Sequence, residues 1–304
     1  MKLSTESYKG VRDFYPEDMA VQNYIFNVWR KVSEKFGYME YSASLLEPAE
    51  LYREKSGEEI VNEQMFTFTD KGGREVALRP EMTPTLARMI AAQRKSLKFP
   101  LRWFSMPNLF RYERPQRGRK REHWQLNCDL MGIAGMEAEI EIISLAYAVM
   151  KEFGAKDEDF EIRINDRVLL NEKFDSKELI KLLDRKNKMS AEEFEKAWQE
   201  LAGKPFDVAI TANDTITSIL TTLKERGISN TVFEPTITRG FDYYTGMVFE
   251  IFDTSPENNR SLFGGGRYDN LLEIFGVEPV PTVGFGMGDI TIRDFLETHN
   301  LPIK

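Results

Sequence analysis

Residues 103–131 read Trp103-Phe104-Ser105-Met106-Pro107-Asn108-Leu109-Phe110-Arg111-Tyr112-Glu113-Arg114-Pro115-Gln116-Arg117-Gly118-Arg119-Lys120-Arg121-Glu122-His123-Trp124-Gln125-Leu126-Asn127-Cys128-Asp129-Leu130-Met131. Trp103 to Arg111 and Trp124 to Met131 are strand-like runs separated by a loop, and they are expected to pair. Strand alternation puts Arg111 and Glu113 on one face. The loop carries Arg117, Arg119, Lys120 and Arg121, a cationic patch that suits a polyphosphate or an RNA end and equally a solvated hairpin tip.

Working outward, Glu63 to Thr69 alternates toward Met65, Phe66 and Phe68, turns at Asp70-Lys71-Gly72-Gly73 and resumes through Val76-Ala77-Leu78, which reads as a second hairpin. Val21, Ile25, Val28, Trp29, Val32 and Phe36 recur at helical spacing before Gly37, as do Ile142, Ala146, Val149, Met150 and Phe153 before Gly154. Pro84 to Ala92 reads as a short helix and Phe160 to Ile164 as a strand. Phe233 onward is β-rich, with a strand over Met247 to Phe252, a turn at Gly264-Gly265-Gly266, a strand over Thr282 to Met287 and a terminal helix. Strands joined by hairpins rather than regular crossovers predict an α+β fold on an antiparallel β-sheet. The segment from about Arg167 to Asn230, rich in Lys, Glu, Asp and Leu, reads as a helical insertion, dividing the chain into 1–166, 167–230 and 231–304.

Composition narrows the chemistry. With 41% hydrophobic residues over 304 positions, the chain can bury a core and is not disordered. Cys128 is its one cysteine, so no intrachain disulfide forms and a reducing compartment fits; with only His123 and His299 as histidines, Cys/His zinc cages cannot be assembled. Neither histidine accompanies a nucleophile motif, which disfavours serine hydrolase chemistry. A net charge of -8 requires any nucleic-acid contact to come from a local basic patch. No apolar stretch reaches the roughly 18 residues of a membrane span, so a cytoplasmic protein without membrane contact is expected.

Three more segments mix residue types that a core alone does not need. Arg239-Gly240-Phe241-Asp242-Tyr243-Tyr244-Thr245-Gly246 surrounds glycines with two tyrosines, an arginine and an acid, as a binding pocket does. Gly264 to Asn270 lacks the Gly-Lys-Ser/Thr of a phosphate loop and by itself is a flexible turn. Leu78-Arg79-Pro80-Glu81-Met82-Thr83-Pro84 ends a strand and opens a helix, so Glu81 and Thr83 fall near a helix N-terminus, where capping is the plain alternative to binding.

Together with Gly10-Val11-Arg12-Asp13-Phe14, these segments resemble the histidyl-tRNA synthetase family of class II aminoacyl-tRNA synthetases, over nearly the whole chain. The span Phe110 to Gly132 is similar to motif 2, shared by class II enzymes; Arg239 to Tyr244 resembles the signature of the histidine enzymes. The likeness covers the catalytic region and not the C-terminal anticodon-binding domain that the family usually adds. It implies a class II-like antiparallel sheet flanked by helices, and a homodimer formed through the N-terminal part. The implied activity is a histidine-tRNA ligase that uses histidine, ATP with Mg2+, and histidine tRNA. The rival is a non-catalytic paralogue that binds histidine and regulates a partner, like the regulatory subunit of ATP phosphoribosyltransferase.

Carried over by residue, the resemblance assigns Arg111 and Arg239 to the α-phosphate in the transition state, and Glu113, Arg119, His123 and Arg293 to ATP. Glu81 and Thr83 are implied to take the α-amino group, Gln125 to make a polar contact to the amino acid, and Asp129, Tyr243 and Tyr244 to surround the imidazole, with Tyr268 closing the pocket. No dedicated protein cage for a metal is implied. Four positions depart from the family pattern. Asp129 is one methylene shorter than the usual glutamate, His123 replaces a stacking phenylalanine and is expected to titrate near neutrality, Ser44 replaces the motif 1 proline, and Thr291 replaces the motif 3 arginine of Gly284-Phe285-Gly286-Met287-Gly288. Arg293, two residues on, takes over from that arginine only if the helix register is shifted by about 200°.

Overall fold

The computed structural model describes residues 3–53, 60–174, 176–186, 189–207, 209–238, 243–258 and 260–303. Helix α1 (Pro16–Lys35) starts on a proline, which is pre-set for the first helical turn, and buries Ile25, Val28, Trp29 and Val32 along one stripe. Gly37, at φ +81°, lets the chain turn into β1 (Met39–Glu40). After β2 (Leu46–Pro48) and α2 (Glu50–Arg53) comes the expected hairpin of β3 (Phe66–Thr69) and β4 (Glu75–Leu78). The Asp70 carboxylate fastens its turn by accepting from the backbone N–H groups of Gly72 and Arg74. These strands form a small sheet of their own, β2-β4-β3.

Helix α3 (Thr83–Gln93) leads to β5 (Leu101–Ser105), β6 (Asn108–Phe110) and β7 (Glu122–Met131). The run predicted as one strand from Trp103 to Arg111 is divided at Met106-Pro107, because proline has no N–H for a ladder. Both pieces still pair antiparallel with β7. Next come α4 (Glu137–Glu152), β8 (Phe160–Asp166), then α5 (Arg167–Lys173), α6 (Lys177–Asp184), α7 (Ala191–Ala202) and α8 (Asp214–Glu225). Leu170, Phe174, Ile180, Leu183, Phe194 and Trp198 build a separate small core here, whereas Ile216, Ile219 and Leu223 of α8 join the main core.

The remainder supplies β9 (Thr231–Phe233), β10 (Met247–Asp253), β11 (Ser261–Arg267), β12 (Thr282–Gly288) and α9 (Asp289–Thr298). The large sheet runs β1-β5-β7-β12-β11-β10-β8-β9, antiparallel except at its two edges, where β1 pairs with β5 and β9 with β8 in parallel. Gly264-Gly265-Gly266, expected as a turn, is instead the middle of β11. A Cβ on Gly265 would strike the carbonyl oxygen of Gly284 and the main chain of Phe285, so glycine answers a close backbone approach rather than a bend.

One face of this sheet is apolar and the other carries the polar groups. Leu126, Cys128 and Leu130 of β7 join Phe249, Ile251, Val283 and Met287 in the core shared with α1, α4, α8 and α9. The alternate residues, Gln125, Asn127 and Asp129, therefore face away from that core. Among the described residues, no helix is long and apolar enough to cross a membrane.

Candidate active site

The polar face of β7 forms the floor of a cavity of about 380 Å³ that opens to solvent. Its walls bring together Glu81, Thr83, Arg111, Gln125, Asp129, Tyr243, Tyr244 and Tyr268, residues separated by as many as 187 positions in sequence. Polar groups converging in a small concavity are what a site for a small polar ligand requires. Room for them comes from β12. Gly284 and Gly286 lie opposite Asp129 and Asn127, and a Cβ on either would collide, with the Asp129 carboxylate at the first and the Gln125 amide at the second.

Asp129 is buried and accepts a hydrogen bond from the Tyr268 hydroxyl. Burial pushes its carboxyl up to about 7, against the opposing pull of that hydroxyl. Tyr243, Tyr244 and Tyr268 cluster with ring centroids 4.9–6.3 Å apart, and the Tyr243 hydroxyl donates to Glu81 Oε2 at 3.4 Å. Glu81 is buried just ahead of α3, whose first residue is Thr83. No side chain caps this helix. Behind Tyr268 a second, apolar cavity of about 290 Å³ is lined by Leu86, Ile90, Leu271 and Val280.

Arg111 also lines this cavity, and its Nε donates to the Pro80 carbonyl at 2.8 Å. His123 lies beyond it on β7. Burial, Arg111 and Arg12 drive its imidazole down to about 3, so the expected titration near neutrality does not occur: His123 is neutral at physiological pH. The folded-state value is depressed, so the unfolded chain binds the proton first, and stability associated with His123 is lost as pH falls below about 6.5. His123→Phe is therefore expected to gain roughly 2 kcal/mol on the parent chain between pH 7.5 and 4.5, as urea denaturation would record; an unchanged difference between the two would refute a neutral imidazole.

The cationic loop divides its arginines. Gln116 and Arg119 close a tight turn, and Arg119 faces Glu113 at 3.7 Å. Arg121 is buried, with its guanidinium 3.7 Å from the Tyr112 ring centroid, and so serves packing. Arg117 binds the Asp294 carboxylate and the Glu257 carbonyl on the outer surface.

Arg293, expected at ATP, is not among the residues that line the cavity. The helix α9 begins at Asp289, and Arg293 pairs with Glu297 at 2.9 Å and Asp18 at 3.6 Å. Thr291 spends its hydroxyl on the carbonyls of Leu262 and Gly288. Arg293→Ala should leave the KM for ATP within about twofold of the parent value, since an exposed ion pair contributes little; a larger rise would place Arg293 at the nucleotide. Arg239 and its neighbours through Asp242 lie outside the described residues.

Sequence reasoning missed Asn127, which lines the cavity between Gln125 and Asp129. The alternation along β7 was the signal available, since residues two apart share a face.

Comparison with known proteins bears on the same segments. The family model described as histidyl-tRNA synthetase matches residues 10–193 and 164–289. A histidine-tRNA ligase of Leptospira biflexa is 46% identical, aligned over 99% of this chain and 76% of that protein. A histidine-tRNA ligase subunit from Alicyclobacillus acidocaldarius superimposes with a TM-score of 0.81 at 22% identity, covering 99% of both chains, which speaks for the fold. The structure described as an ATP phosphoribosyltransferase regulatory subunit/histidyl-tRNA synthetase from Bacillus halodurans gives 0.77 at 25% identity, over 96% of this chain and 83% of that one. Both the sheet with its polar face and the sequence over most of its length thus point one way: the chain belongs to the histidyl-tRNA synthetase family.

Proposed function

We propose that this chain is a histidine-tRNA ligase, which joins histidine to ATP as histidyl-adenylate and then passes the histidyl group to tRNA. The observation that carries the reading is the convergence of Glu81, Gln125, Asp129 and the three tyrosines with Arg111 on one cavity, in a chain 46% identical to a histidine-tRNA ligase. In the first step the histidine carboxylate, already ionised, attacks the α-phosphorus; a P–O bond forms and pyrophosphate leaves. Charge accumulates on the α-phosphate oxygens. A guanidinium held in place, as Arg111 is by the Pro80 carbonyl, stabilises that charge without reorganising. We assign the same role to Arg239, and nucleotide contacts to Glu113, Arg119 and His123. Positioning supplies much of the remaining acceleration.

Glu81, with its carboxylate at the tyrosine cluster, takes the α-amino group together with Thr83, while Asp129, Tyr243, Tyr244 and Tyr268 enclose the imidazole. Mg2+ enters as the counter-ion of ATP. Among the described residues no three His, Cys, Asp or Glu side chains converge to hold a metal. The chain acts in the cytoplasm as a homodimer built on its N-terminal part, where Met39 on the edge strand β1, and Leu46 and Phe68 on the small sheet, are exposed.

Thr291, a neutral residue at the motif 3 position, is the one observation that favours the regulatory paralogue. Histidine-dependent exchange of labelled pyrophosphate into ATP, with other amino acids as controls, decides between them. Exchange specific to histidine is expected; histidine binding without exchange would favour the paralogue.

A further inference from the structure

The tip of the loop between β6 and β7 rests on helix α9. Gln116 and Arg119 exchange backbone hydrogen bonds at 3.0 and 3.1 Å around Gly118, whose φ of +74° suits the tight turn. From this turn the Arg117 guanidinium engages all three of its nitrogens. Nε donates to both oxygens of Asp294 at 2.8 and 3.1 Å, Nη2 to the Thr298 hydroxyl at 3.2 Å and Nη1 to the Glu257 carbonyl at 3.2 Å. In return Arg260 Nη1 donates to the Arg117 carbonyl at 2.8 Å. Thr291, Asp294 and Thr298, spaced i, i+3 and i+7, share one face of α9. Thr291 leaves the room: a Cβ on Gly118 would lie 3.9 Å from Thr291 Cγ2 and 3.8 Å from Arg260 Nη1, so a longer side chain at 291 would meet the turn. An exposed ion pair alone contributes little, but a planar fork held by acceptors on two segments fixes direction as well as distance.

We infer that this face of α9 is the seat of the motif 2 loop, and that Asp294 is a positioning residue for ATP that acts through Arg117. The inference rests on the ligase reading and on the assignment of Glu113 and Arg119 to the nucleotide. Arg119 faces Glu113 at 3.7 Å from the same turn that Arg117 fastens, so fixing the turn fixes Arg119 as well. A loop ordered before ATP arrives spares binding the entropy cost of ordering it. Without the latch, ATP has to order the tip itself. Residues 116–120 do not line the cavity that holds Gln125 and Asp129, so the loss falls on nucleotide affinity rather than on histidine. Thr291 then has a use of its own: the small side chain at the motif 3 position leaves open the seat that an arginine would fill.

The Arg117 and Asp294 side chains are 49% and 19% exposed, so truncating either leaves the core intact. Asp294→Ala and Arg117→Ala should each raise the KM for ATP in pyrophosphate exchange about fivefold and leave the calorimetric Kd for histidine within about twofold. The double variant should be no worse than either single one, because both remove the same contact. Amide hydrogen exchange of residues 116–119, read by mass spectrometry, should quicken by about the same factor in D294A while the amides of α9 keep their protection, which a role confined to the helix would not produce. An ATP KM within about twofold of the parent value in D294A, single effects that multiply in the double variant, or unchanged protection of the turn overturns the inference. If the parent chain catalyses no exchange, the ligase reading fails by itself, and the protection of the turn in D294A still decides whether Asp294 seats the loop.

Discussion

Alanine at Arg111 should lower histidine-dependent pyrophosphate exchange by about a hundredfold to a thousandfold, the usual loss when one preorganised donor to a developing oxyanion is removed. Its side chain lines the same cavity as Gln125 and Asp129, and the Pro80 carbonyl fixes its Nε. That carbonyl immediately precedes Glu81, so the two residues to which we assign the phosphate and the amino group share one support. The deficit should fall mainly on kcat, with the Kd for histidine measured by calorimetry changing by less than about threefold, since only the transition state carries the extra charge. Arg111→Lys keeps the charge and loses the planar fork, so it should recover only part of the rate. Exchange within tenfold of the parent value in R111A would remove Arg111 from the mechanism.

The largest stability loss is expected at Arg267. This guanidinium is buried between α4 and β11, where it forms two hydrogen bonds to Glu139, one of them from Nη2 at 2.7 Å, and reaches Asp269 at 3.3 Å and the carbonyls of Ile133 and Gly135. Glu139 is itself 4% exposed. Arg267→Met would strand that carboxylate in the interior, at a cost of about 3–5 kcal/mol. Pairing it with Glu139→Met removes the stranded charge, so the double variant should regain most of the loss in urea denaturation. A double variant as unstable as R267M would show that packing, rather than the orphaned carboxylate, is responsible.

The amphipathic helices and the antiparallel pairing around residues 103–131 were legible because they depend on local periodicity. Trp29 and Val32 must be buried wherever that helix goes, and Gln125 must share a face with Asp129 on any strand. The grouping of site residues was legible through family resemblance, which compresses tertiary information that spacing lacks. What escaped was set by contacts distant in sequence. The glycines of β11 look like a turn until Gly284 is seen to press on them. The parallel pairings of β1 and β9, strands of two and three residues, come from neighbours rather than from their own pattern. For the same reason, α8 reads as part of a helical insertion although its apolar stripe packs on the main core.

His123 and Asp129 lie six positions apart on one strand and depart from their ordinary values in opposite senses, His123 down from 6.5 to about 3 and Asp129 up from 3.8 to about 7. Between about pH 4 and 6 the folded chain thus withholds a proton from the imidazole and retains one on the carboxyl. Unfolding there makes one of these groups take up a proton and the other release one, so the pair itself exchanges almost none with the buffer. The two contributions on this strand oppose each other: stability lost through the histidine as pH falls is regained through the aspartate.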